Sequence, residues 1–164
     1  SSTSRGLGDV YKRQNLQNTP SFPLLFGIGG AFPFIFLSIG IWVFTYELKL
    51  IALYNLINYS VLILSFTGAV HWGAAMVRND KGYKSYLISI IPALLSWFLL
   101  IGFIVNYLII FIVLIILYLS VFFIDINAVK ENYLPQWYIP MRKFITVIVL
   151  LSLGSVCMLS LIHI

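Results

Sequence analysis

Leu108-Ile109-Ile110-Phe111-Ile112-Val113-Leu114-Ile115-Ile116-Leu117-Tyr118-Leu119-Ser120-Val121-Phe122-Phe123-Ile124 is an unbroken apolar run in which only Tyr118 and Ser120 carry a polar group. About 20 helical residues, at about 1.5 Å each, cross the hydrocarbon core of a bilayer. With no water there to satisfy backbone N–H and C=O groups, a chain crosses as a helix that pairs them internally. The run is therefore a membrane span, and the segments on either side repeat the pattern. Spans are expected at about 24–46, 52–77, 86–105, 108–124 and 144–161. Asn18-Thr19-Pro20-Ser21 and Pro23 open the first, and Glu47 with Lys49 closes it. Arg78-Asn79-Asp80-Lys81-Gly82 ends the second, Asn106 marks a tight turn before the fourth, and Asp125 ends the fourth. A polar connection through Lys130, Glu131 and Leu134-Pro135-Gln136-Trp137-Tyr138 leads by Arg142 and Lys143 into the fifth.

Composition agrees: 61% of the 164 residues are hydrophobic and 9% charged, which excludes a soluble domain and leaves no room for a second one. The fold class expected is all-α, an integral membrane bundle of five transmembrane helices. The single cysteine, Cys157, has no partner for an internal disulfide and no clustered ligands for a metal, and reads as helix packing. Both chain ends look foreign. Residues 1–14, ending Asp9-Val10-Tyr11-Lys12-Arg13-Gln14, and residues 159–164, Leu159-Ser160-Leu161-Ile162-His163-Ile164, resemble translated adapter sequence, which leaves 15–158 as one membrane domain. Setting aside Arg5, Asp9, Lys12 and Arg13 takes the formal charge from +5 to about +3, so basicity makes no case for nucleic acid.

Five spans place the N-terminus and the second and fourth connections on one side. That side holds Arg78, Lys81, Lys84, Lys130, Arg142 and Lys143, while the other holds only Lys49. The positive-inside rule then predicts the N-terminus inside and the C-terminus outside.

His71, in Leu64-Ser65-Phe66-Thr67-Gly68-Ala69-Val70-His71-Trp72-Gly73, is the one ionisable side chain expected well inside the spans. A charge there costs roughly 2 to 3 kcal/mol on insertion scales, so such a group faces protein or a water-filled cavity. It lies seven residues before Arg78, roughly 10 Å below the interface. The hairpin between the second and third spans brings Ser89 to Pro92 near its level. Ser60, Leu64, Thr67, His71 and Ala75 recur at helical spacing beside Gly68, facing a stripe of Ser89, Pro92, Ala93 and Ser96. Pro92 leaves one carbonyl without its helical donor. The bland account of His71 is a neutral imidazole bonded to a serine hydroxyl or backbone carbonyl across that hairpin. The functional ones are a proton acceptor in a transport path or a ligand contact. An axial haem ligand is disfavoured by the lack of a second strong ligand at that level.

Asp125 at a helix C-terminus faces an unfavourable dipole, so a partner is expected, with Arg142 and Lys130 on the same side. The bland alternative is an interfacial acid solvated among headgroups. Trp72 adjoins the histidine, and Trp137 and Tyr138 fit headgroup anchors. Gly27-Ile28-Gly29-Gly30 superficially resembles a phosphate loop but follows no strand and lacks the GxGxxG spacing. Close helix packing explains it better, with Pro33 kinking the first span. Gly73 and Pro135 are taken as structural too. The sequence contains no HExxH, paired carboxylates or Ser-His-Asp pattern, and neither metal nor cofactor is expected.

Four segments together resemble the domain of unknown function 3429 family, the transmembrane protein 69-like membrane proteins. They are Gly27 to Gly30 with Pro33-Phe34; Tyr59-Ser60 through Ile63-Leu64-Ser65-Phe66, Gly68 and His71-Trp72-Gly73; Pro92-Ala93-Leu94-Leu95-Ser96-Trp97; and Leu134-Pro135-Gln136-Trp137-Tyr138 with Arg142 and Thr146. The resemblance implies a five-helix protein of the bacterial inner membrane, or of the mitochondrial inner membrane in animals, and no established activity. The function expected is that of a non-enzymatic accessory or assembly protein. Its polar cluster, His71, Trp72, Thr67, Ser89, Asp125, Trp137 and Arg142, would bind a partner or lipid. The alternative is a small proton-linked transporter or channel acting through His71, working as a homo-oligomer. Its surroundings are the lipid bilayer and other membrane proteins.

Overall fold

Residues 19–101 and 106–163 are described by a computed structural model. Five helices occupy them: α1 (Ser21–Val43), α2 (Tyr46–Val77), α3 (Tyr83–Ile101), α4 (Tyr107–Lys130) and α5 (Tyr138–His163). Each is long and apolar enough to cross a membrane, and no strand is present among the described residues. The proposed foreign stretch 1–14 lies outside the described residues, as does the predicted end of the third span at Val105.

Several boundaries differ from expectation, each for a local reason. Glu47 and Lys49 do not close α1. Its end is Val43, and Glu47 sits in the first turn of α2, where the positive end of the helix dipole favours an acid. At 32 residues α2 is about 48 Å long, well beyond the thickness of a hydrocarbon core. Asp125 does not end α4, which runs on to Lys130, and α5 begins at Tyr138 rather than near residue 144. Pro140 is tolerated there because a first-turn residue needs no helical N–H. Asn106 behaves as expected: its side chain accepts from the Leu108 amide at 3.0 Å and caps α4.

α2 and α4 stop in the same way. Asn79 and Asn132 take the left-handed conformation, at φ 51° and 55°. The Asp80 and Tyr133 amides reach back to the Ala75 and Ala128 carbonyls at 3.0 and 2.6 Å, the double closure of a Schellman motif with asparagine in the usual glycine place. The two resulting loops meet, since Tyr133 Oη donates to Asp80 Oδ2 at 3.2 Å and the Arg78 guanidinium donates to the Asn132 carbonyl. Amide Gly82 and hydroxyl Ser85 also bond Asp80 and hold its carboxyl below the usual carboxylate range, against a smaller opposing effect of desolvation.

Buried side chains recur every three or four residues on α2, α4 and α5, and with α1 they enclose one core: Phe34, Leu56, Leu64, Phe111, Leu114, Tyr118, Val149 and Leu153 are among its members. α3 packs chiefly on α2. A Cβ on Gly68 would stand 2.5 Å from the Ser89 carbonyl oxygen, so this glycine sets the α2–α3 approach, and Pro92 lies against it. A Cβ on Gly27 would stand 2.7 Å from the terminal methyl of the Ile145 side chain of α5, which can turn aside, whereas a Cβ on Gly73 would meet nothing. Large apolar side chains such as Phe22, Phe26, Leu62 and Phe66 point outward, as they do where the surrounding solvent is lipid.

Candidate functional site

The buried stripe of α4 runs Phe111, Leu114, Tyr118, Val121, Asp125, Ala128, so its periodicity carries a carboxylate into the interior. The stripes of α2 and α5 carry His71 and Arg142 to meet it. His71 Nε2 lies 2.9 Å from Asp125 Oδ1, and Arg142 Nε donates to Asp125 Oδ2 at 2.7 Å. An ionised carboxylate only accepts, so the imidazole nitrogen facing it carries the proton. Exposure is 4% for His71, 0% for Asp125 and 3% for Arg142. Both carboxylate oxygens are thus engaged by side chains from two other helices, 54 and 17 residues away in sequence.

This geometry corrects three expectations. His71 is not the one ionisable group inside the spans, because Asp125 and Arg142 are equally buried. Its partner is a carboxylate on α4, not a serine or carbonyl across the α2–α3 hairpin. Asp125 is no headgroup-solvated acid, and the partner its charge demanded is supplied by α2 and α5 together.

Other candidates fall around the triad. Ser89 Oγ donates to the Tyr86 carbonyl at 2.6 Å within α3, and across the α2–α3 contact Trp72 meets the Tyr86 ring edge-on at 5.0 Å. Thr67 Oγ1, one turn before His71, donates to the Leu64 carbonyl at 2.8 Å. The Trp137 carbonyl accepts from Thr19 Oγ1 at 3.4 Å, tying the start of α1 to the α4–α5 connection. Gly27, Gly30, Thr67, Pro135, Trp137 and Arg142 come together around a cavity of about 440 Å³ between α1, α2 and α5. Pro33 stays in α1 beside Phe34, which lines that cavity. A shallower groove of about 540 Å³ runs beneath the α4–α5 connection past Arg78 and Tyr133. His71 lines neither.

A sequence-family model described as a protein of unknown function, DUF3429, matches residues 19–158. The chain belongs to the DUF3429 family. No curated protein and no solved structure matches it. The matched residues of this DUF3429 protein take in all three members of the triad. Two polar atoms near it are sealed from solvent with no hydrogen-bond partner, Arg142 Nη2 and, one turn along α5, Thr146 Oγ1. Sequence reasoning missed Tyr118, whose hydroxyl donates to the Ser60 carbonyl at 2.8 Å and joins α4 to α2. Its place on the same stripe as Asp125 was the available signal. Among the described residues no group of three metal-ligating side chains occurs.

Proposed function

We propose that this DUF3429 protein is a non-enzymatic accessory protein of the bacterial inner membrane, whose buried triad presents Arg142 to a membrane-embedded molecule. The observation that carries this reading is the division of labour at Asp125. Both its oxygens are committed, so it orders α2, α4 and α5 instead of serving as a free base, while Arg142 lines a cavity and keeps nitrogen atoms to spare. The orientation is supported by the five basic residues outside the triad at its end of the bundle, Arg78, Lys81, Lys84, Lys130 and Lys143, against Lys49 at the other, which favours a cytoplasmic N-terminus and an inner-leaflet site. Reporters fused after Asn106 and after Gly82 test that, and the orientation fails if the Gly82 fusion reports outside.

The binding reading is tested by purifying the full chain in mild detergent beside Arg142→Ala and identifying bound molecules by mass spectrometry. A molecule held by the wild-type chain and lost from a variant with intact helical circular dichroism is expected. An identical set from both contradicts it. A carrier acting through His71 requires water at that side chain, and His71 lines neither cavity whereas Arg142 lines one, which supports the binding role instead.

A further inference from the structure

Four polar side chains line the cavity, Thr67, Trp137, Tyr138 and Arg142, and the last three can donate into it. Arg142 spends Nε on Asp125, Nη2 is sealed without a partner, and Nη1, which makes no hydrogen bond among the described residues, is the guanidinium nitrogen left for a ligand to reach. Tyr138, 8% exposed, lines the cavity with a hydroxyl that has no hydrogen-bond partner among the described residues, and neither has the indole N–H of Trp137, whose ring lies 6.3 Å from that of Tyr138. No carboxylate lines the cavity. α5 starts at Tyr138, so the positive end of its dipole lies at this edge. The remaining wall is apolar, from Phe34, Ile63 and Ile145, and its rim carries Phe26 and Phe66, 73% and 69% exposed on the outer face of the bundle. The opening is therefore sideways, into the acyl chains of the bilayer.

On the binding reading above, we propose that this cavity holds an acidic amphiphile, an oxyanion head, phosphate or carboxylate, on an aliphatic chain. The head accepts from Arg142 Nη1, the Tyr138 hydroxyl and the Trp137 indole, and the chain lies along Phe34 and Ile63 and leaves past Phe26 and Phe66. A charge-assisted hydrogen bond from Nη1 to an oxyanion satisfies a nitrogen that the protein leaves without a partner. Arg78, Lys81, Lys84, Lys130 and Lys143 at the same end of the bundle concentrate anionic lipid at the entrance.

Gly30 lines the cavity, and a Cβ there would meet nothing nearer than the Tyr59 hydroxyl at 4.0 Å, so Gly30→Leu fills the space without touching the triad. A Cβ on Gly29 would meet nothing, and Gly29→Leu is the control. The full chain in phosphatidylcholine nanodiscs is given phosphatidic acid, oleate or diacylglycerol, and the amphiphile retained is counted by native mass spectrometry. Retention of phosphatidic acid or oleate at least tenfold above diacylglycerol is expected, falling about tenfold in Gly30→Leu, several-fold in Tyr138→Phe and not at all in Gly29→Leu. Retention of phosphatidic acid alone assigns a phospholipid source, and of oleate alone a fatty acid. Diacylglycerol retained equally, or Gly30→Leu matching wild type, overturns the proposal. If an Arg142-dependent molecule still co-purifies in that case, the ligand class fails and the wider binding reading stands; if none does, both fail.

Discussion

Replacing Asp125 removes the acceptor of two charge-assisted hydrogen bonds, at 2.9 Å from His71 and 2.7 Å from Arg142, in a site where no member is more than 4% exposed. Such bonds contribute about 1.5–3 kcal/mol each, and orphaning one member of a buried ion pair costs about 3–5 kcal/mol. Asp125→Leu is therefore expected to destabilise the bundle by about 3–5 kcal/mol, a third or more of the 5–15 kcal/mol typical of a folded domain. Arg142→Met is expected to cost a similar amount, because it strands the carboxylate. The double variant leaves no uncompensated charge and only one orphaned donor, His71 Nε2–H, worth about 1–3 kcal/mol. Unfolding of the detergent-solubilised protein, followed by helical circular dichroism across a denaturant titration, gives all four corners of the cycle. A coupling above about 2 kcal/mol, with the double variant more stable than either single one, is the expected result. Single costs that add to within about 0.5 kcal/mol would mean that the two side chains do not share a site, and the reasoning would be refuted.

Glycine geometry makes a second prediction. Gly68→Ala forces a methyl against the Ser89 carbonyl and is expected to cost about 1–3 kcal/mol in the same titration, while Gly73→Ala, which meets nothing, is neutral or slightly stabilising. Equal effects would show that α2 and α3 do not approach at Gly68. A third concerns pH at the loops. The Asp80 carboxyl is held below its ordinary value by Gly82 and Ser85, so its contribution to stability is present above about pH 4 and is lost as pH falls further. Protonation there also weakens the Tyr133 contact between the loops. Hydrogen exchange at the Tyr133 and Asn132 amides should speed up below that pH in wild type but be pH-insensitive, beyond the intrinsic rate, in Asp80→Asn.

Much of this architecture was legible in the apolar runs. The five spans, the Asn106 turn, the loop at Asp80 and the close approach at Gly68 all follow from local chemistry that the chain states plainly. Asp125 and Arg142 were misplaced because a charge at the edge of an apolar run looks like a boundary. Which it is depends on whether the cation 17 residues away, Arg142, is packed inward with it, and although the sequence put Arg142 on the same side, no local pattern records its burial. The better guide was the three-or-four spacing of Tyr118, Val121, Asp125 and Ala128, which keeps the acid on the buried face and extends α4 past it. For His71 the local stripe pointed at the α2–α3 hairpin, since sequence neighbours are the easiest contacts to foresee. Its actual partner lies 54 residues on, through the α2–α4 contact that only the packed bundle creates.

The central claim, that His71 bonds a buried carboxylate supplied by Asp125, is tested most directly by ¹⁵N spectra of histidine-labelled protein carrying His163→Gln, so that one imidazole remains. The account predicts a proton on Nε2 that exchanges slowly with water and whose resonance moves upfield in Asp125→Asn. A bare Nε2, or a proton that exchanges freely and ignores the substitution at Asp125, would contradict it.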